Sequence, residues 1–404
     1  MNICFFTENY YIGGLDTFII NLINHWPNNS DKITIICNFS HPGNSIIEKK
    51  IVRPNVFYKR HKLLMFNDVE SKFNARFKFL FKPFFFILRY FFFIYYIIKL
   101  DKVFNVDYYD ELMIINGGYP GGWSCRAATI FWGLKKKKKS IHNFHNFAEP
   151  PRLIVKMFEN FIDSLVNKYT SFFVTVSKVC MDSLKKRESI KQNKNIQFIY
   201  NGIGEKSLVL PVNIRKELGL DRESKICLLL ATFEKRKGHK FLIDVFQEVF
   251  KTEYNAFLVC CGYGSKEERL SIQNYINSLG LAKNIFLLDY REDAASILAD
   301  SDLLVISSKE FESFGLTAIE GMKHSIAVIS TNTGGLKEVI ADGEGGFLFD
   351  YGDVDGFSGK VKELLRDNSK RIDQGKLGRE RFVNYFTANK MAKSYRDLMN
   401  SNNV

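Results

Sequence analysis

The stretch Leu303-Leu-Val-Ile-Ser-Ser-Lys-Glu-Phe-Glu-Ser-Phe-Gly-Leu-Thr-Ala-Ile-Glu-Gly-Met322 reads as a buried strand, a polar loop and the start of a helix. Leu303–Ser307 is an apolar run of strand length, and Phe314-Gly315-Leu316-Thr317 opens the helical periodicity that follows. Glu312 stays in the loop, while Glu320 falls about a turn into the helix. In an open parallel sheet this loop sits at the carboxyl end of its strand, where such sheets bind ligands. Working outward, the same rhythm recurs at Lys225–Ala231, Ala256–Cys260, Ile285–Leu288 and Ala327–Ser330, each followed by a loop and a helix-length amphipathic segment. Upstream it recurs at Asn2–Thr7, Ile33–Cys37, Leu112–Asn116, Lys139–His142, Phe172–Ser177 and Ile196–Tyr200. Alternation of this kind predicts an α/β protein with two doubly wound parallel sheets. Gly204, Pro211 and Gly219 place the boundary between them near residues 203–220.

The chain has 404 residues, of which 46% are apolar and 25% charged, which excludes a mostly disordered or fibrous protein. Its formal net charge is +13, and the excess is local. Residues 1–200 hold 29 Lys and Arg against 15 Asp and Glu, whereas residues 201–404 hold 28 against 29. A basic half calls for a polyanionic partner, either nucleic acid or an anionic membrane. The lysines cluster among Phe rather than along a polar groove, and no nucleic-acid-binding motif is present, which favours the membrane over a nucleic-acid-binding protein. Two segments suit a bilayer: Ala75–Lys99, crowded with Phe and Tyr among Arg76, Lys78, Lys82, Arg89 and Lys99, and the five-lysine run Lys135–Lys139. Together they predict an interfacial helix and a polybasic patch on one face. The most apolar run, Phe84 to Ile98, is interrupted by Arg89 and stops short of spanning length, so no transmembrane helix is expected. The seven cysteines include no C-x-x-C pair, which fits a reducing cytoplasm without disulfides or zinc, and the N-terminus reads as a first strand rather than a signal peptide.

The helix start at Phe314–Thr317 offers free N–H groups and the positive end of a helix dipole, an anion site suited to a diphosphate. Glu312 and Glu320 beside it would repel phosphate, so their expected partners are sugar hydroxyls. This pair, spaced E-x7-E, resembles the signature of the retaining nucleotide-sugar glycosyltransferases of family 4 (group 1 glycosyltransferases). Thr333-Gly334-Gly335-Leu336-Lys337-Glu338 and Asp342-Gly343-Glu344-Gly345-Gly346-Phe347 follow in the family's order. Upstream, Ser177, Asn201-Gly202-Ile203, Lys237-Gly238-His239, Gly262-Tyr263-Gly264 and Tyr290-Arg291-Glu292-Asp293 sit where the family has its own short motifs. The resemblance covers nearly the whole chain.

That resemblance implies the GT-B fold, two Rossmann-like domains facing across a cleft. It assigns residues 1–203 to an acceptor domain, 204–375 to a nucleotide-sugar donor domain and 376–404 to a C-terminal helix returning to the first. It implies His142, Glu312 and Lys237 as catalytic residues, with His145 as the alternative to His142. The implied donor-binding set is Gly13, Gly14, Arg236, Arg291, Phe314, Gly315, Leu316, Thr317 and Glu320. Lys237 would neutralise the departing diphosphate, Glu312 would contact the transferred sugar, Glu320 the ribose and Arg291 the nucleobase. The family's usual arginine, five or six residues before Lys237, is here Ala231 or Thr232, so Arg236 or Lys235 replaces it, or Lys237 and the helix dipole suffice.

The implied reaction moves a sugar from a nucleoside diphosphate sugar to an acceptor hydroxyl with retention. It needs no cofactor and no metal, and the one spaced acid pair, Asp353 and Asp355, lies in a late loop. The expected partners are the nucleotide-sugar donor, a glycan or lipid-linked acceptor and an anionic membrane surface, with no nucleic acid. The expected setting is bacterial cell-surface polysaccharide or lipopolysaccharide assembly, with the protein cytoplasmic and peripheral at the inner face of the cell membrane. The rivals are a relative of the same fold without transferase activity, epimerase-like or inactive, and a basic nucleic-acid-binding protein.

Overall fold

The computed structural model describes residues 1–104, 108–206 and 212–401. Pro211, one of the expected boundary residues, and the last three residues lie outside the described part. The chain divides into two units, Met1–Gly202 with Ala388–Val404, and Ile203–Thr387.

Seven parallel strands form the sheet of the first unit: β1 (Asn2–Thr7), β2 (Lys32–Asn38), β3 (Val56–His61), β4 (Glu111–Asn116), β5 (Ser140–Phe144), β6 (Thr170–Thr175) and β7 (Ile196–Phe198). Their order is β3-β2-β1-β4-β5-β6-β7. Central strands such as β1 and β4 are covered by helices on both faces, which is why they read as near-continuous apolar runs. The second unit has six parallel strands, β8 (Lys225–Leu230), β9 (Ala256–Cys261), β10 (Ile285–Leu288), β11 (Leu303–Ile306), β12 (Ala327–Thr331) and β13 (Gly346–Phe349), in the order β10-β9-β8-β11-β12-β13. Each sheet therefore reverses its winding once, between β1 and β4 and between β8 and β11. The register across the second switch point, Leu303 with Cys227 and Leu304 with Leu228, puts the loops after β8 and β11 side by side.

The expected strand pattern omits two strands, β3 and β13. Both are half-buried edge strands: β3 (VFYKRH) ends on three basic residues, and β13 (GFLF) is only four residues long. The strand expected at Lys139–His142 is β5, Ser140–Phe144, a shift that decides the position of His142 below. The C-terminal segment is also revised. The helix Asn368–Tyr385 stays in the second unit, and the helix Ala388–Ser401 alone belongs to the first. There Met391, Ala392, Tyr395, Leu398 and Met399 join the core with Phe18, Ile19 and Leu22. The Tyr395 hydroxyl accepts a 2.7 Å bond from Asn143 Nδ2.

Ala75–Lys99 forms two helices, Ala75–Leu80 and Lys82–Lys99. The helical run continues to Phe104, giving 23 residues whose most apolar 18-residue stretch has a mean hydropathy of 1.6, long and apolar enough to cross a membrane by length and composition. The expected shortness of this run is thus revised. Within it Phe85, Phe93 and Tyr96 are buried, with Tyr96 accepting the Phe66 N–H at 2.8 Å, while Phe84, Ile87, Phe91, Ile94 and Ile98 are exposed, as are Phe79 and Leu80 of the preceding helix.

Candidate active site

In the second unit, Lys237 and Glu312 come from the two loops of the switch point. A 3₁₀ turn, Lys235–Lys237, follows β8, and Gly238 (φ 70°) lets it enter the helix His239–Val249. A Cβ at Gly238 would fall 2.0 Å from the Ser307 carbonyl oxygen, so only glycine allows this loop to lie on the end of β11. Ser307 Oγ donates to the Lys237 carbonyl at 2.8 Å, which locks the two loops together. Lys237 Nζ then lies 2.6 Å from Glu312 Oε2, and Ser308 Oγ donates to the same oxygen at 3.1 Å. The two charged side chains are about one-sixth exposed, enough to be reached by a ligand.

The backbone behind Glu312 explains the glycine pair downstream. Phe311 has φ 57°, a left-handed conformation that costs a bulky residue strain and turns the Glu312 side chain inward. Gly334 (φ 55°) lies so close that a Cβ there would be 2.0 Å from the Glu312 carbonyl oxygen, and Gly335 N–H donates to that oxygen at 2.8 Å. Thr331 Oγ1 and Thr333 Oγ1 both donate to the Ser308 carbonyl, at 2.7 and 3.0 Å. Gly315 (φ 111°) starts the helix Leu316–Lys323, and a Cβ there would meet Leu336 Cδ2 at 2.7 Å. A small pocket results, lined by Leu229, Leu230, Ala231, Lys237, Ile306, Ser308, Glu312, Gly315, Thr317 and Leu336.

Of the expected residues, catalytic Lys237 and Glu312 and donor-binding Gly315 and Thr317 are thus brought together. Phe314 is buried against Phe386, with ring centroids 5.8 Å apart, and supports the loop from beneath; Leu316 is half-buried in the first turn. Glu320 does not line the pocket; burial of its carboxyl pushes its pKa up to about 7, with Lys323 pulling the other way. Arg236 does not line the pocket, and its Nε lies 2.6 Å from Glu234 Oε2 in an exposed ion pair. Arg291 is clamped by Asp293, at 2.8 and 2.7 Å, and by Glu217. Beside it at the carboxyl ends of β9 and β10, Tyr263 and Tyr290 stack with centroids 4.1 Å apart and stay half exposed. Single tyrosines in two loops gave no pattern from which to expect this pair.

In the first unit the structure corrects the choice of histidine. His142 is in the middle of β5, fully buried, with its ring stacked 4.5 Å from Phe144 and Nδ1 3.3 Å from Thr129 Oγ1. Burial, helped by Arg126, pushes its pKa down to about 3. It is a core residue that a ligand does not reach. His145 is just past the strand, at the ligand-binding edge of the sheet, with its ring 4.1 Å from Phe18 and Nε2 without a protein partner. Burial lowers its pKa to about 3 as well, so the imidazole is neutral. Gly13 and Gly14 lead from β1 into the helix Gly14–Asn24. Gly13 N–H donates to Asp16 Oδ2 at 3.2 Å, and buried Asp16 is held in turn by Asn9 Nδ2 and His41 Nε2, both 3.0 Å from its Oδ1. A Cβ at Gly13 would meet no protein atom within 4 Å, so the space beside this loop is open. Glu8, which the motifs did not single out, accepts from Ser124 N–H and Oγ at 2.8 and 2.7 Å and ties the β1 loop to the helix Trp123–Lys136. Lys135–Lys139 ends that helix and leads into β5, at the sheet edge opposite His145. Among the described residues no cluster of three or more His, Cys, Asp or Glu is placed to hold a metal.

Comparison with known proteins follows the same division. The chain is 30% identical over 213 residues to N-acetyl-alpha-D-glucosaminyl L-malate synthase of Bacillus anthracis, covering 52% of this chain and 55% of that protein. It is 27% identical over 243 residues to the capsular polysaccharide biosynthesis glycosyltransferase CapM of Staphylococcus aureus, covering 58% and 63%. The chain thus spans about half to two-thirds of the length of these relatives. Solved structures match along the whole chain: a glycosyltransferase from Rickettsia africae at TM-score 0.78 and 18% identity, covering 99% of this chain and 98% of that one, and Anabaena HepE in complex with UDP at 0.73 and 16%, covering 99% and 100%. At such identity the likeness shows the fold, two Rossmann-like domains of the GT-B type. Residues 212–381, which hold Lys237, Glu312 and the glycine pair, match the family described as glycosyl transferases group 1.

Proposed function

We propose that the protein is a retaining glycosyltransferase that moves a sugar from a nucleoside diphosphate sugar to a hydroxyl of a lipid-linked glycan, in bacterial cell-surface polysaccharide or lipopolysaccharide assembly. The observation that carries this reading is the Lys237–Glu312 pair at the switch point beside the helix start at Gly315. An arriving diphosphate is a stronger anion than one carboxylate and takes over the Lys237 ammonium. Glu312 is then released to accept hydrogen bonds from the transferred sugar. As the C1–O bond to the diphosphate breaks, Lys237 and the N–H groups after Gly315 meet the growing negative charge. The acceptor oxygen attacks from the side of the leaving group. The C1–O bond to the acceptor forms, and its proton passes to the departing phosphate oxygen. Neutral His145 serves as a hydrogen-bonding group for a sugar or acceptor hydroxyl, and no metal is used. Arg236 lies outside the pocket, so charge stabilisation rests on Lys237 and the helix end. The half-exposed Tyr263–Tyr290 pair, rather than clamped Arg291, offers a face to the nucleobase.

The basic, aromatic first half supports a peripheral place at the inner face of the cell membrane, in the cytoplasm. The relatives named for capsule and lipopolysaccharide synthesis agree with the proposed setting. HepE has been crystallised with UDP-glucose, which makes uridine nucleotides the first to try. A thermal-shift screen against nucleoside diphosphates and their sugars tests the donor site. The reading predicts a clear rise in Tm with one base, abolished in Lys237→Ala; no shift with any of them refutes it. Proton NMR of the product tests retention, and an inverted anomer refutes the front-face course.

A further inference from the structure

The helix Lys156–Lys168 buries Ile162 and Val166 in the core, yet it and the turn before it also present large apolar side chains to the outside. Its charged residues Glu159 and Asp163 face inward, while Leu153 and Ile154 of the leading 3₁₀ turn, Met157 and Phe161 face out. The first three of these are 87%, 94% and 90% exposed and Phe161 is 60% exposed. Buried acids are costly unless paired, and here they are. Glu159 Oε2 lies 2.8 Å from Arg126 Nη1 and 3.2 Å from Arg187 Nη1, and Asp163 Oδ2 lies 3.1 Å from Arg187. Arg187 Nε also donates to the Glu149 carbonyl at 2.6 Å, fastening the segment that precedes the turn. The ionic network, together with buried Ile162 and Val166, fixes the helix so that Met157 and Phe161 face out beside Leu153 and Ile154, an exposed apolar patch of the kind that marks an interaction site.

We propose that Leu153, Ile154, Met157 and Phe161 insert into an anionic phospholipid bilayer, so that the segment from His145 to Ile154 runs directly from the membrane to the carboxyl edge of β5. This inference rests on the membrane reading above and deepens it: it names a second inserting element and assigns the acceptor to amphiphiles presented from the bilayer. The face is continuous with the aromatic helix Lys82–Lys99. Tyr90 packs edge-on against Phe158 at 4.7 Å, and its hydroxyl donates to Glu159 Oε1 at 3.3 Å. Exposed Arg152 adjoins Leu153 on the rim of the patch, in a half of the chain that holds 29 Lys and Arg against 15 Asp and Glu. A like-charged second copy is repelled by such a rim, whereas an anionic bilayer is attracted. Insertion of apolar side chains together with basic contacts gives reversible docking where either alone is weak.

The test uses the full chain. All seven native cysteines are buried, so Ile154→Cys can be labelled selectively with an environment-sensitive fluorophore. Mixed with phosphatidylglycerol/phosphatidylcholine vesicles, the label is expected to shift blue and to be quenched by bromolipid. The triple variant Leu153→Asp/Ile154→Asp/Met157→Asp is expected to bind the same vesicles at least tenfold more weakly, with its Tm unchanged because these side chains touch little of the protein. If the parent binds vesicles but the label does not respond and the triple variant binds equally well, this inference is overturned while membrane docking stands. If the parent binds no vesicles, both fall. A blue shift that instead follows protein concentration without lipid, with a dimer in solution, assigns the patch to a second copy and overturns the proposal.

Discussion

Gly334→Ala puts a measurable load on the backbone that holds Glu312. Gly334 has φ 55°, and an added Cβ would stand 2.0 Å from the Glu312 carbonyl oxygen, where real Cβ contacts do not fall below 3.0 Å. The left-handed conformation alone costs alanine about 1–2 kcal/mol. Relieving the overlap demands that the Glu312 carbonyl retreat by about 1 Å, and forced shifts in packed structure cost about 1–3 kcal/mol more. In a unit the size of Ile203–Thr387, that sum of roughly 2–5 kcal/mol lowers Tm by roughly 5–15 °C. The same retreat strains the 2.8 Å bond from Gly335 N–H and draws Glu312 away from Lys237. A displacement of about 1 Å in a catalytic group can cost on the order of 10²-fold in rate. Gly280→Ala is the control, because Gly280 has φ 70° but a Cβ there would meet nothing within 4 Å. It carries only the left-handed cost, about 1–2 kcal/mol. Thermal melts of both variants, nucleotide-induced Tm shifts and transfer rates with the donor found by screening complete the assay. If Gly334→Ala matches Gly280→Ala in Tm and keeps transfer within threefold of the parent, the glycine pair does not position Glu312 and the reasoning fails.

Lys237→Ala is expected to lower transfer by about 10²–10³-fold. The double variant Lys237→Ala/Glu312→Ala should lose far less than the product of the two single losses, because the pair acts as a unit; strict multiplicativity in kcat/KM counts against it. His145→Ala should depress transfer with little change in Tm, whereas His142→Ala should cost about 2–4 kcal/mol of stability and leave the activity of the folded fraction intact; the reverse pattern restores His142 to the site. Glu320 has its folded pKa raised to about 7 from 4.5, so the folded state binds the proton more tightly than the unfolded chain. Its contribution is fully present below pH 4.5 and is lost as pH rises to about 7. Denaturant midpoints measured from pH 5 to pH 8 should therefore fall more in the parent than in Glu320→Gln, and identical slopes refute the burial of that carboxyl.

Much of the fold was legible because central parallel strands are apolar throughout and the loops after them carry short glycine motifs. The strands β1, β4, β8 and β11, which flank the two switch points, were all found this way. The edge strands β3 and β13 were not: β3 breaks its apolar start with basic residues, and the four-residue β13 begins inside a glycine-rich segment that reads as a loop motif. The His142 assignment failed through strand register. Ending β5 two residues early placed a core side chain at the sheet edge, and the true edge residue is His145. Arg236 and Arg291 looked like free cations in sequence; Glu234, two residues away from Arg236, and Asp293 with the distant Glu217 hold them in the folded unit.

Sequence by itself determined the alternation that builds two parallel sheets, the order of the donor-side motifs and the concentration of positive charge and phenylalanine in the first half. These are local properties, set by the side-chain period and by which residues tolerate a tight turn. Only the tertiary structure decided that Lys237 meets Glu312, 75 positions away, because two loops distant in sequence become neighbours when β8 pairs with β11. It alone turned Glu159 and Asp163 of Lys156–Lys168 inward beside Ile162 and Val166 and left Met157 and Phe161 outward. The charges that compensate those acids, Arg126 and Arg187, come from other elements, and pairing across elements leaves no trace in a local pattern.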